Sequence, residues 1–189
     1  MSNGGHDPEA NPWQRRSRRV AYANPWITVF EDDVIRPDGA PGIYGVVHFP
    51  GRAIGILPVD ADGQVVLVGQ YRYALGLYSW EIPEGAAGAD EEPLVAAQRE
   101  LLEETGLSAG DWRELARAHL SNSVSDEEAI LFLATDLRAG MARPDGTERI
   151  QVRSVPFALA LEMVVEGRIT DAMSVIAIER HALLERIRT

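Results

Sequence analysis

The sequence predicts an α/β protein, an α/β/α sandwich built on a mixed sheet and preceded by a small antiparallel sheet. Three observations carry this expectation. β-rich segments punctuated by turn signals fill the first third of the chain, one strongly patterned helix lies near its middle, and two helical stretches close it. At 189 residues and 46% hydrophobic content, the chain can bury one substantial core and carry a small appended sheet.

Residues 1–16 are rich in Gly, Asn and Pro and are expected to form an arm without fixed structure. Residues 17–51 are assigned to the N-terminal sheet: Ile27-Thr28-Val29-Phe30 and Ile43-Tyr44-Gly45-Val46-Val47 alternate, and Arg36-Pro37-Asp38-Gly39 between them is a turn signal. Residues 52–189 are assigned to the main domain. It opens with Ile54 to Val59, the turn Asp60-Ala61-Asp62-Gly63 and a strand from Gln64 to Tyr71. Further strands are expected near Glu114 to Leu120, Ala129 to Ala134 and Ile150 to Val155, and helices near 157–166 and 171–187.

Composition excludes several classes of function. The chain has no cysteine, so disulfides, zinc–thiolate sites and thiol nucleophiles are out. It holds no apolar run of about 18 residues and no apolar signal core near its start, which predicts a cytoplasmic protein without a membrane span. A net charge of −11 argues against binding nucleic acid. An anionic substrate would therefore need local positive charge, from bound metal and from arginine, since all 18 basic residues are arginine. The basic run Arg15, Arg16, Arg18, Arg19 reads as part of the arm leading into the fold.

The most informative stretch is GAAGADEEPLVAAQRELLEETGL, Gly85 to Leu107. Pro93 suits a first helical turn, the acidic residues 90–92 suit the positive end of the helix dipole, and Gly106 is a ready C-terminal stop. The spacing predicts a helix over 91–105. At about 100° per residue, Leu94, Ala97, Leu101 and Leu102 form an apolar arc, with Glu100, Glu103 and Glu104 on nearly the opposite side. On a solvated surface such carboxylates repel by only about 0.2–0.5 kcal/mol per pair. Converging in a cleft about 4 Å apart, each pair would repel by roughly 4 kcal/mol, which a divalent cation would offset. Hard oxygen donors of this kind suit Mg²⁺, with Mn²⁺ as the alternative. Arg99 can hold a neighbouring carboxylate in a bidentate pair and fix its direction. Glu91 is either a second such orienter or a dipole-complementing residue.

Gly85, Glu91, Arg99, Glu100, Leu101, Glu103, Glu104, Gly106 and Leu107 fit the pattern G-x5-E-x7-R-E-U-x-E-E-x-G-U, with U apolar. This resembles a complete Nudix box. The flanking Gln70-Tyr71-Arg72-Tyr73, Trp80-Glu81-Ile82-Pro83-Glu84-Gly85, Glu148 to Val152 and Glu166 to Ala172 resemble the ADP-ribose and nucleoside-diphosphate-sugar pyrophosphatases of that family. The resemblance implies a Nudix-type sandwich and Mg²⁺-dependent hydrolysis of a nucleoside diphosphate sugar to a nucleoside monophosphate and a sugar phosphate. It also implies a homodimer in which an exchanged N-terminal sheet helps build the pocket. Glu100 and Glu104 would ligate metal, Glu103 would ligate it or help deprotonate water, and the main-chain carbonyl of Glu84 would complete the sphere. Arg72 would contact the diphosphate. Glu81 would accept hydrogen bonds from base or ribose, and Trp80, Tyr73 and Tyr78 either stack a base or pack as core.

Two stretches depart from the subgroup. Relatives often carry two acids two residues apart before the Ile-x-Val strand, where this chain has Gly146 and Glu148; Glu148 is the expected general base, with Asp145 as its substitute. The Ser-Pro-Gly-like turn is replaced by Ser121-Asn122-Ser123-Val124-Ser125-Asp126-Glu127, which lacks the proline. Glu127 is assigned to substrate binding near the metal, with the capping of a strand as the alternative. Two other functions fit the same box: cleansing modified nucleoside triphosphates, which the extra N-terminal sheet disfavours, and sensing ADP-ribose without cutting it, which the intact Glu103 and Glu104 disfavour.

Overall fold

The computed structural model describes residues 9–140 and 149–188. Two compact units emerge, one of residues 1–50 with 121–126 and one of residues 51–120 with 127–189. In the first, β1 (Gln14–Ala23), β2 (Thr28–Ile35) and β3 (Pro41–His48) form an antiparallel sheet in the order β1-β2-β3. β1 starts inside the segment expected to be an arm, and the Arg15–Arg19 run lies within this strand. The cause is cross-strand pairing. Arg18 donates twice to Asp32, at 2.7 and 2.8 Å, and stacks over Phe30, while Arg19 pairs with Glu31. Every residue of β1 is exposed, so the strand has no alternating apolar signature.

The segment 121–126 belongs to this first unit through β3. Val47 N–H donates to the Val124 carbonyl at 2.8 Å, Tyr44 Oη donates to the Ser123 carbonyl at 2.6 Å, and His48 Nδ1 lies 2.6 Å from Asp126 Oδ2. The polar Asn-Ser turn noted in the sequence is thus tied down by main-chain bonds.

In the second unit, β4 (Arg52–Pro58), β7 (Glu84–Ala87), β8 (Leu107–His119) and β9 (Glu128–Ala139) form a mixed sheet in the order β7-β4-β9-β8, with β4 and β9 parallel. β5 (Gln64–Arg72), β6 (Leu77–Glu81) and β10 (Gln151–Pro156) form an antiparallel sheet in the order β10-β5-β6. α1 (Pro93–Thr105) packs on one face of the mixed sheet; α3 (Ala172–Arg188), joined by α2 (Phe157–Val165), packs on the other. This is the expected α/β/α layering.

Strand periodicity explains why both faces are apolar. Ile54 and Ile56 of β4, with Ile130, Phe132 and Ala134 of β9, meet Ala96, Ala97 and Leu101 of α1. The alternate residues Leu57, Ala129 and Leu131 turn the other way, onto Met163, Met173, Ala177 and Ile178. Gly55 lies on that second side because a Cβ there would press into Leu131 and Ile82.

The buried side of α1 is Ala96, Ala97, Leu101 and Glu104, displaced from the expected arc. Leu94 is exposed, and Glu104 is only 7% exposed. Pro93 occupies the first turn, and Gly106 caps the C-terminus at φ 71°, in the left-handed region that glycine adopts without steric cost. β8 follows at once from Leu107 and pairs with β9 along its length, which is why it begins well before the expected Glu114.

Candidate active site

Four elements of the second unit build the site. α1 carries Arg99, Glu100, Glu103 and Glu104; the end of β5 and of β6 carries Arg72 and Glu81; the start of β7 carries Glu84 and Gly85. Gly85 leaves room for the Glu100 side chain, since a Cβ there would overlap its carboxyl group.

Arg99 gathers the helix carboxylates. Its Nη1 donates to Glu100 Oε1 at 2.7 Å and to Glu103 Oε2 at 3.1 Å, while Nε and Nη2 engage Glu91 at 3.1 and 3.0 Å. Nη2 also donates to the Ala86 carbonyl. Glu91 is therefore an orienter of Arg99, and that ion pair holds its carboxyl below the usual range. The same bond with Glu91 leads in raising Arg99 above its ordinary value. Burial pushes Glu100 up, against the pull of Arg99.

Arg72 and Glu81 form a second pair. Arg72 Nε donates to both Glu81 oxygens, at 3.1 and 3.0 Å, and Nη2 reaches Glu81 Oε2 and, at 3.5 Å, Glu84 Oε2. Glu81 is 2% exposed, so its partner is what makes its charge tolerable there. Burial, followed by the adjacent Asp171 carboxyl, pushes Glu84 well above the usual carboxylate range. Burial works against the charge of Arg72, and Glu81 outweighs it, so the guanidinium stays raised.

Glu84 joins the two groups: its N–H donates to Glu104 Oε2 at 3.0 Å and its carboxyl group faces Arg72. Sequence reasoning missed two further members, Asp171 and Ser174. Asp171 Oδ2 accepts the Ser174 N–H at the start of α3, and Ser174 Oγ donates to Glu84 Oε1 at 3.3 Å. The Asp-x-x-Ser spacing ahead of a helix was the available signal; its contact with Glu84, 90 residues away, arises only on folding.

Not every expected residue shares this face. Trp80 alternates with Glu81 and Ser79 along β6 and points to the opposite side of its sheet, where Arg153 stacks on it at 3.7 Å and Tyr78 meets it edge-on. Period-two alternation separates it from Arg72 and Glu81, so the structure does not place it beside them. A Cβ on Gly69 would collide with the Trp80 ring, which shows how closely the indole lies on β5. Tyr73 is 94% exposed. Glu127 stands where β9 is about to begin, its carbonyl accepting the Leu120 N–H. Glu148 and Asp145 lie outside the described residues.

Among the described residues, no three acidic or imidazole groups converge on a single point that could hold an ion; Arg99 stands among the helix carboxylates instead. The expected convergence of Glu100, Glu103 and Glu104 is replaced by Glu100 and Glu103 on the guanidinium and Glu104 on the Glu84 N–H. The donor set still suits a hard dication: carboxylate oxygens on one helix beside a main chain left open by Gly85.

An α/β/α unit with this acidic helix against this glycine-opened strand defines a Nudix-type domain. The NUDIX domain model matches residues 49–171, and the chain belongs to that family. Residues 13–47 match the Nucleoside diphosphate sugar hydrolase N-terminal domain. The ADP-ribose pyrophosphatase of Bacillus subtilis is 32% identical over 91% of this chain and 94% of its own length. The GDP-mannose pyrophosphatase of Escherichia coli is 34% identical over 69% of this chain and 73% of its own. The crystal structure of an ADP compounds hydrolase superposes with a TM-score of 0.81 at 20% identity, covering 94% of this chain and 97% of that one, a likeness of fold.

Proposed function

We propose that the chain hydrolyses the phosphoanhydride of ADP-ribose or a related nucleoside diphosphate sugar with the help of a divalent cation, Mg²⁺ first and Mn²⁺ as the alternative. Water adds its oxygen to one phosphorus, the bridging P–O bond breaks, and a nucleoside monophosphate and a sugar phosphate leave. The observation that carries this reading is Glu84, which touches Glu104 of the acidic helix through its N–H and Arg72 through its side-chain carboxyl oxygen. Cation-holding oxygens and a diphosphate-binding guanidinium thus stand one residue apart. The relatives' names support the substrate class.

Glu100 and Glu104 would hold the cation, with Glu103 and the Glu84 carbonyl completing the set; the ion would supply charge neutralisation on the phosphate oxygens and lower the pKa of water. Arg99 keeps the carboxylates together and aimed. Arg72, held in orientation by Glu81, draws the diphosphate to the site. Glu148 serves as the base. Glu127 contacts the substrate from the turn before β9. The chain acts as a cytoplasmic homodimer.

The test is turnover on ADP-ribose, GDP-mannose and 8-oxo-dGTP at millimolar Mg²⁺ in ¹⁸O-water, with mass analysis of products. Labelled monophosphate or labelled sugar phosphate from a nucleotide sugar is expected. Tight ADP-ribose binding without product, or turnover confined to 8-oxo-dGTP, would overturn the proposal.

A further inference from the structure

Ser174 is fully buried at the first turn of α3, and its hydroxyl is used in both directions. Its Oγ accepts the Ile82 N–H at 2.9 Å, which occupies a lone pair. The single hydroxyl proton remains available for Glu84 Oε1, 3.3 Å away. Ser174 is itself anchored, its N–H donating to Asp171 Oδ2 at 2.8 Å. One hydroxyl therefore joins the start of α3 to both the residue after β6 and the first residue of β7.

Beyond Glu84 the chain of bonds continues in two directions. The Glu84 N–H donates to Glu104 Oε2 at 3.0 Å, and Glu84 Oε2 receives Arg72 Nη2 at 3.5 Å. Because Ser174 Oγ also accepts the Ile82 N–H, it holds the main chain two residues before Glu84 as well as the Glu84 side chain; its loss would loosen both the segment that carries the N–H on Glu104 and the carboxyl group that faces Arg72. A buried hydrogen bond made to an ionisable group and closed at both ends is costly to break, which gives Ser174 the leverage for this role.

We propose that Ser174 is a positioning residue for the cation site: it fixes Glu84 and, through the Glu84 main chain, the direction of the Glu104 carboxylate. The inference rests on the reading that Glu104 and Glu84 hold the ion. A merely structural Ser174 would satisfy the Ile82 N–H and stabilise the fold while leaving cation affinity alone.

The experiment titrates the metal-free full-length protein with Mn²⁺, following free Mn²⁺ by electron paramagnetic resonance, so that no substrate is needed. Ser174→Ala is expected to weaken Mn²⁺ binding about tenfold, as loss of a residue that orients a ligand does. Ser174→Thr, which keeps the hydroxyl, is expected to restore it. Glu84→Met retains the main-chain carbonyl and N–H but removes the acceptor for Ser174, and is expected to reproduce the Ser174→Ala defect. Wild-type Mn²⁺ affinity in Ser174→Ala, whatever its melting temperature, overturns the proposal; where that variant does not fold, wild-type affinity in Glu84→Met overturns it. A wild-type protein that binds Mn²⁺ with this Ser174 dependence yet cuts no nucleotide sugar supports the positioning role and defeats the proposed activity alone.

Discussion

Glu104 is where burial and chemistry meet most closely, because a carboxylate only 7% exposed is kept in place by a main-chain N–H. Glu104→Gln preserves an oxygen acceptor for that N–H, so the fold is expected to survive. The charge that would hold the cation is lost, and kcat for nucleotide-sugar hydrolysis is expected to fall about 100-fold or more. Circular dichroism beside steady-state kinetics checks both halves; near-full activity would remove Glu104 from the ligand set. Arg72→Ala has a different signature. It is expected to raise KM about tenfold, the scale of a charged hydrogen bond lost, and to lower the melting temperature, since Glu81 is left buried without its partner. An unchanged KM with a lowered melting temperature would make Arg72 the keeper of Glu81 and nothing more.

At the scale of elements, α1 does two jobs that its sequence separates only in part. Leu101 is fully buried between Ala97 and the β4–β9 face, and Leu101→Ala is expected to cost about 2–5 kcal/mol in urea denaturation. Gly106→Ala, which forces a side chain into the left-handed cap, is expected to cost about 1–2 kcal/mol by the same measurement. Helix, cap glycine and the pairing of Arg99 with carboxylates were legible because they depend on residues a turn or two apart. Leu94 and Glu104 exchange the expected exposed and buried roles because the sheet under α1, not the helix periodicity, decides which edge of the stripe is covered. The start of β1 was illegible for a related reason. Its arginines are held by Asp32 and Glu31 on the neighbouring strand, and no apolar residue alternates between Gln14 and Arg19 to announce it. The Glu84–Ser174–Asp171 cluster was out of reach altogether, since it joins two ends of the domain through a hydroxyl that carries no motif.

For the molecule as a whole, the acid limit of stability has a visible contributor in the first unit. The Arg18 hydrogen bond lowers the Asp32 carboxyl below its ordinary value, outweighing the burial that opposes it. Ionised Asp32 thus favours the folded state; its contribution is complete above the unfolded carboxyl value of about 3.9 and is lost as pH falls through the lower folded value. Asp32→Asn is expected to melt earlier than wild type near neutrality, with the difference shrinking below about pH 4. A gap independent of pH would remove the ion pair from the acid response. The proposed homodimer predicts twice the 20.7 kDa chain mass in solution by light scattering, and a monomer fully active on nucleotide sugars would refute it. The interleaving of the two units has one more consequence. Because 121–126 is stitched to β3 while its neighbours on both sides belong to the other unit, a backbone nick after residue 50 leaves the N-terminal sheet still hydrogen-bonded to a segment of the remaining chain. A fragment starting at residue 51 would carry those six residues as an orphaned stub whose amides and carbonyls had lost their mates, so shortening the gene from its 5′ end is a poor route to a minimal catalyst.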